Sequence, residues 1–147
     1  IIRELINFQA ESPKTDVGMA LKYLTNVIKK RCTTFMISDF IDIADYKNAL
    51  TIANRKHDIV ALQVYDNLET QLPGVGLMKI MDAETGAERW IDTSSKKLRD
   101  TYRNWWQTQQ EHMQRTFSRS KVDSVSVRTD EDYVKALMAL FKKRSIK

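Results

Sequence analysis

Two apolar runs constrain this chain more than any other feature: "TTFMISDF", Thr33 to Phe40, and "DIVALQVYD", Asp58 to Asp66. Both are rich in β-formers and nearly continuous rather than alternating, the pattern of strands covered on both faces. Between them "DYKNALTIANRKH" has helical character, with Leu50 and Ile52 among its apolar positions. Strand, helix, strand with short joins is a βαβ unit and demands a parallel sheet. Strands are therefore predicted over 33–39 and 58–66, and each ends in an aspartate.

The flanks extend the same pattern. "IIRELINFQAE" opens as a helix, with Ile2, Leu5 and Ile6 at helical spacing, and "QAESPKTD" is a polar loop punctuated by Pro13. In "VGMALKYLTNVIKK", Val17, Ala20, Leu21, Leu24, Val27 and Ile28 form one stripe, which predicts a helix packed on a core. Further on, two short β-like runs around "AETG" read as a hairpin with Gly86 at a positive φ. The helix predicted from Ser95 to about Phe117 carries Leu98, Tyr102, Trp105, Gln109, Met113 and Phe117 at intervals of three or four. That stripe puts Trp105 in the core and Trp106 at its border. "DSVSVRT" alternates as a last strand, and "TDEDYVKALMALFKK" closes the chain as a helix, with Thr129 and Asp132 spaced like a capping box. The expected architecture is α/β: a mostly parallel sheet with helices on both faces and a β-hairpin insertion, in one domain over residues 1–147.

Composition supports a folded domain and narrows its chemistry. Hydrophobic residues make up 42% and charged residues 29% of 147 residues, enough for a core without disulfides or structural metal. The single cysteine, Cys32, excludes a disulfide within the chain, and its place before a strand suits a small buried hydrophobe. No apolar run reaches the roughly 20 residues of a membrane helix, and no signal peptide is recognisable. A cytoplasmic setting is expected. The net charge of +5 is concentrated in "FKKRSIK" and "KKR" (Lys29 to Arg31), at the ends of predicted helices where cations complement the dipole. Without interleaved aromatic residues these runs do not read as a nucleic-acid surface.

Parallel sheets bind ligands in the crevice at the carboxyl ends of their strands. Asp39 lies at that end of what reads as a central strand, and Asp66 at the same end of its neighbour. The loop holding Thr15 and Asp16 should open onto the same edge, as should Asp42. Oxygen donors without His or Cys suit a hard cation, Mg²⁺ above all. Each residue also has a purely local reading: Thr15 as a helix N-cap, Asp39 as the residue of an Asx-turn.

The ordered set "PKTDVGMALKYL", "TTFMISDF", "DIVALQVYDNLETQLPGVG", "DAETGAERWIDTSS" and "RTDEDYVKALMALF" resembles the C-terminal half of the domain-of-unknown-function 58 family, colinear over nearly the whole chain. The resemblance implies a von Willebrand factor type A-like domain with a metal-ion-dependent adhesion site. Such sites combine an Asp-x-Ser-x-Ser loop after the first strand with a threonine loop and an aspartate loop. Thr15 matches the threonine position and Asp39 the aspartate position; Asp16, Asp42 and Asp66 become rim residues. A partner's carboxylate commonly completes the Mg²⁺ octahedron. The chain departs from the pattern in three places. It contains no Asp-x-Ser-x-Ser: "DSVSV" places Asp123, Ser124 and Ser126 in the wrong order and context, so the first strand and its loop are expected upstream of Ile1. Lys14 stands where glycine usually precedes the threonine, and its ammonium opposes a cation. "SDF" replaces the "TDG" of adhesion domains, although it fits the family resembled.

The implied function is a non-enzymatic protein-interaction module working with a MoxR-type AAA+ ATPase. The alternatives are a metal-independent scaffold, a Mg-dependent hydrolase and a nucleic-acid binder. Hydrolysis would need a base and phosphate-neutralising groups. His57 is expected at the opposite end of its strand and His112 away from the apolar stripe, and a chain with four glycines has no phosphate-binding loop.

Overall fold

The computed structural model describes residues 2–8, 14–42, 44–82 and 85–145. Pro13, the side chain of Leu5, and Ala83 and Glu84 of the "AETG" segment lie outside the described residues. The elements are α1 (Ile2–Asn7), α2 (Val17–Val27), β1 (Thr33–Ser38), α3 (Lys47–Lys56), β2 (Asp58–Tyr65), α4 (Asn67–Thr70), β3 (Leu77–Met81), β4 (Glu88–Asp92), α5 (Lys96–Arg119), β5 (Asp123–Arg128) and α6 (Tyr133–Ser145).

The predicted βαβ unit is present. β1 and β2 pair in parallel from Thr33↔Asp58 to Ser38↔Gln63, and β5 joins β2 in parallel from Val60↔Asp123 to Tyr65↔Arg128. The sheet order is β1-β2-β5, so β2 is central. Ile59, Ala61 and Gln63 alternate onto one face of β2, where α2, α3 and α5 bury Val17, Leu21, Leu50, Ala53, Met113 and Phe117 against them. The other face carries α6, with Phe141 edge-on to Phe35 at a centroid distance of 6.3 Å. Arg144 near the end of α6 pairs with Asp58 and Asp123, tying the helix to the amino ends of β2 and β5. β3 and β4 form the separate antiparallel hairpin, with Gly86 at φ +69° as expected. No helix among the described residues is long and apolar enough to cross a membrane.

Three expectations are corrected. Among the described residues β1 is an edge strand rather than a central one, and α6 covers its outward face only in part: Phe35 is 46% and Ile37 68% exposed. Its continuous apolarity is therefore not matched by burial on both faces among the described residues. On α5 the tryptophans exchange roles, with Trp106 at 6% exposure and Trp105 at 41%. Neighbouring helix positions differ by about 100°, and the turn that Trp106 occupies points at Tyr65 on β2, 5.7 Å away centroid to centroid. Thr129 and Asp132 do not form a capping box: Asp132 accepts from the Val134 N–H at 3.0 Å, while the Thr129 hydroxyl donates to Asp66.

Candidate functional site

The carboxyl edge of the sheet is built around one strained residue. β1 ends at Ser38, and two residues later Phe40 adopts φ +57°, the left-handed region that bulky side chains rarely enter. Burial holds it there. The Phe40 ring packs edge-on against Phe117 at 5.0 Å and lies 6.4 Å from Tyr46. The Ser38 hydroxyl accepts from the Phe40 N–H at 3.0 Å. With Phe40 turned inward, Asp39 is left exposed at the rim, where its Oδ1 accepts from the Ile41 N–H at 3.2 Å.

The loop after Asp39 meets the start of α2. Asp42 accepts from the Val17 N–H through Oδ2 at 2.9 Å and from the Ala44 N–H through Oδ1 at 2.8 Å. The Val17 N–H bond thus ties the start of α2, just after the half-buried Thr15 and the exposed Asp16, to Asp42. The N-cap of α2 is Asp16, whose Oδ1 accepts from the Met19 N–H at 2.6 Å; the local reading of Thr15 as the cap is corrected. Asp66 caps α4 through the Leu68 N–H at 2.8 Å and accepts from the Thr129 hydroxyl at 2.8 Å. Those two donors hold its carboxyl below the usual carboxylate range.

Three residues at this edge were not singled out from sequence. Gln63, fully buried, donates to the Asp39 carbonyl at 3.5 Å and accepts from the Ser126 hydroxyl at 2.8 Å, so it links the ends of all three strands. Glu69 on α4 has a carboxylate oxygen, Oε2, that is buried without a hydrogen-bond partner. Burial raises its pKa above the ordinary glutamate value, and the charges of Asp39 and Asp66 add to the rise. The Tyr46 phenol is pushed up to about 12 by burial first, then by Asp42, Asp45 and Asp39. In both, burial is the larger cause and the negative charge of the rim aspartates the smaller. A polar residue within an apolar strand run was a usable signal for Gln63; nothing in "NLET" distinguished Glu69.

The donor chemistry fits a hard cation, but the arrangement is incomplete. Among the described residues no group of three or more His, Cys, Asp or Glu side chains is placed to hold a metal ion. Asp16, Asp39, Asp42 and Asp66 each already accept a backbone N–H. His57 is fully buried beside the amino end of β2, and His112 lines a shallow concavity with Asp42, Asp45 and Trp105.

The structure thus defines an α/β domain with a parallel three-stranded core and an acidic rim at the strand carboxyl ends. The chain belongs to the family described as "Protein of unknown function DUF58", whose model matches residues 1–112. It is 26% identical over 146 residues to the uncharacterised protein MAV169 of Mycobacterium avium, covering 95% of this chain and 86% of that protein. It is 27% identical over 119 residues to the uncharacterised proteins Rv1480 of Mycobacterium tuberculosis (strain H37Rv) and Mb1516 of Mycobacterium bovis, covering 81% of this chain. The matched segment spans only 37% of the length of those two relatives. No solved structure gives a significant match.

Proposed function

We propose that this chain is most of a von Willebrand factor type A-like, non-enzymatic interaction module carrying part of a metal-ion-dependent adhesion site. The observation that supports the reading is the hydrogen bond from the Val17 N–H to Asp42, between the start of α2 and the loop that follows β1. Thr15 and Asp39 would offer a hydroxyl and a carboxylate to Mg²⁺, with Asp16, Asp42 and Asp66 around them. Mg²⁺ would supply a fixed positive charge able to accept a carboxylate from a partner protein. The missing oxygen ligands would come from an Asp-x-Ser-x-Ser loop on a strand beside β1. The outer edge of β1, unpaired among the described residues, favours a strand there. The partner in this reading is a MoxR-type AAA+ ATPase.

Magnesium and manganese titrations by calorimetry test it, on the 147-residue chain and on the full-length protein. Saturable binding by the full-length protein that disappears with Asp39→Ala supports the shared site. Absence of binding in a folded full-length protein overturns it. One observation favours the second reading, a metal-independent scaffold: the four rim aspartates are all engaged with backbone N–H groups. In that case the Thr15→Ala, Asp39→Ala double variant binds its protein partner unchanged.

A further inference from the structure

At the amino end of the sheet the fold gathers cations that the sequence spreads over four segments. Lys29, Lys30 and Arg31 precede β1, and Arg55 and Lys56 end α3 just before β2. Arg119 ends α5 and Lys121 stands in the turn from there into β5, while Lys142, Lys143 and Arg144 close α6. The carboxylates among the described residues at this end are Asp58 and Asp123, and Arg144 pairs with both. Ten cations against two carboxylates give this end a formal charge of +8; the whole chain carries +5, which leaves the remainder at −3. Helix dipoles account for only part of the excess. α2, α3, α5 and α6 all end here, and their C-termini together supply about two negative charges. All ten except Lys56 and Arg144 are exposed, and none of those exposed cations joins an ion pair among the described residues.

Two concavities join some of these cations into a track. One, of about 250 Å³, is lined by Thr51, Asn54, Arg55, Arg119, Ser120 and Lys121. The other, of about 450 Å³, shares Lys121 and reaches Lys143. A polar path therefore links Arg55 on α3 with Lys143 on α6 across the start of β5. Asn54 fixes its midpoint, donating to the carbonyls of Ser120 at 3.1 Å and Lys121 at 2.9 Å. Lys121 itself holds φ +55°, directly after a helix end, where glycine or asparagine is the usual residue. A lysine kept there puts a charge at a place where local structure favours an uncharged residue.

We propose that this end of the domain binds the phosphate backbone of a nucleic-acid duplex, without reading its sequence, through Arg55, Arg119, Lys121 and Lys143. A line of cations suits a linear polyanion, whose phosphates release counterions when they are neutralised. No aromatic side chain lines either concavity, so unpaired bases have nothing to stack on, which favours a duplex over a single strand. Val122, the apolar residue of the track, is buried, so no side chain there enters a lipid layer, which disfavours a membrane. The acidic rim lies at the other end of the strands, and the proposal is independent of any metal there.

The test is fluorescence anisotropy of a labelled DNA duplex of about 20 base pairs, titrated with the full-length protein between about 50 and 200 mM salt. Each phosphate neutralised adds about 0.9 to the slope of log affinity against log salt. Arg55→Gln, Arg119→Gln and Lys121→Gly together should therefore lower that slope by about 2.7 and weaken binding about tenfold or more. The glycine relieves the strain at Lys121, so the turn survives the change. Lys96→Gln, Lys97→Gln and Lys135→Gln remove the same charge from the far ends of α5 and α6, and that variant should bind like the unaltered protein. Absence of duplex binding at the lowest salt overturns the proposal. So does an equal loss in the second variant, which would make net charge the cause. Tighter binding to a single strand of the same length, or binding to phosphatidylglycerol vesicles without binding to the duplex, overturns it in favour of that other partner.

Discussion

Phe40 offers a sharp test of how the rim is built, because its side chain and its backbone pull in opposite directions. The ring is 5% exposed and contacts Phe117 and Tyr46, while the backbone sits at φ +57°. Truncation to alanine removes the ring and leaves a cavity, a loss of about 3–5 kcal/mol. The left-handed conformation costs an L-residue roughly 1–2 kcal/mol, and alanine still carries that strain. Glycine loses the same ring but is free of the strain, and its added unfolded-state entropy returns about 0.5–1 kcal/mol of the gain. Phe40→Gly should therefore be more stable than Phe40→Ala by about 0.5–1 kcal/mol, the reverse of the order found within helices and strands. Urea unfolding followed by tryptophan fluorescence reads the difference as a shift in midpoint at constant slope. An alanine variant equal to or more stable than the glycine variant would refute the idea that Phe40 is held against backbone strain by its burial.

Two further outcomes follow from the described contacts. The folded-state value of Asp66 is depressed below 3.8, so its contribution to stability is present above the unfolded value and is lost as pH falls through the folded one. Unfolding midpoints measured from pH 6 down to pH 2 should fall less steeply below about pH 4 in Thr129→Val, which removes one of the donors to that carboxylate. On α5, Trp106→Ala should cost about 3–5 kcal/mol and Trp105→Ala about 1 kcal/mol or less, compared by thermal melting; equal losses would contradict the observed exchange of their burial.

How far the sequence carried depended on whether a signal was local. The βαβ unit was legible because apolar runs and helical spacing are local patterns, and the hairpin was legible because Gly86 marks a turn that needs a positive φ. The tryptophan assignment failed because Trp105 and Trp106 both border a stripe that ends correctly in Met113 and Phe117; Tyr65 decides between them, and that contact is tertiary. The strain at Phe40 had no sequence mark, since neither glycine nor asparagine stands there. At the rim, the approach of the start of α2 to the loop after β1, seen in the Val17 N–H bond to Asp42, followed from topology alone. The role of Gln63 and the burial of Glu69 Oε2 depend on side-chain directions that no spacing rule supplies.

The pairing of β2 with β5 has a consequence for the order in which this chain can fold. β1 meets β2 across 25 residues, as in Thr33↔Asp58, but Val60 finds Asp123 only 63 residues later. At a synthesis rate of roughly 5–20 residues per second, the far edge of β2 waits about 3–13 s for its neighbour. During that interval the nascent chain can already form the β1–α3–β2 unit and the β3–β4 hairpin. It presents an apolar strand edge that only the last quarter of the sequence will close, and the central strand is the one most exposed to mispairing while the ribosome finishes.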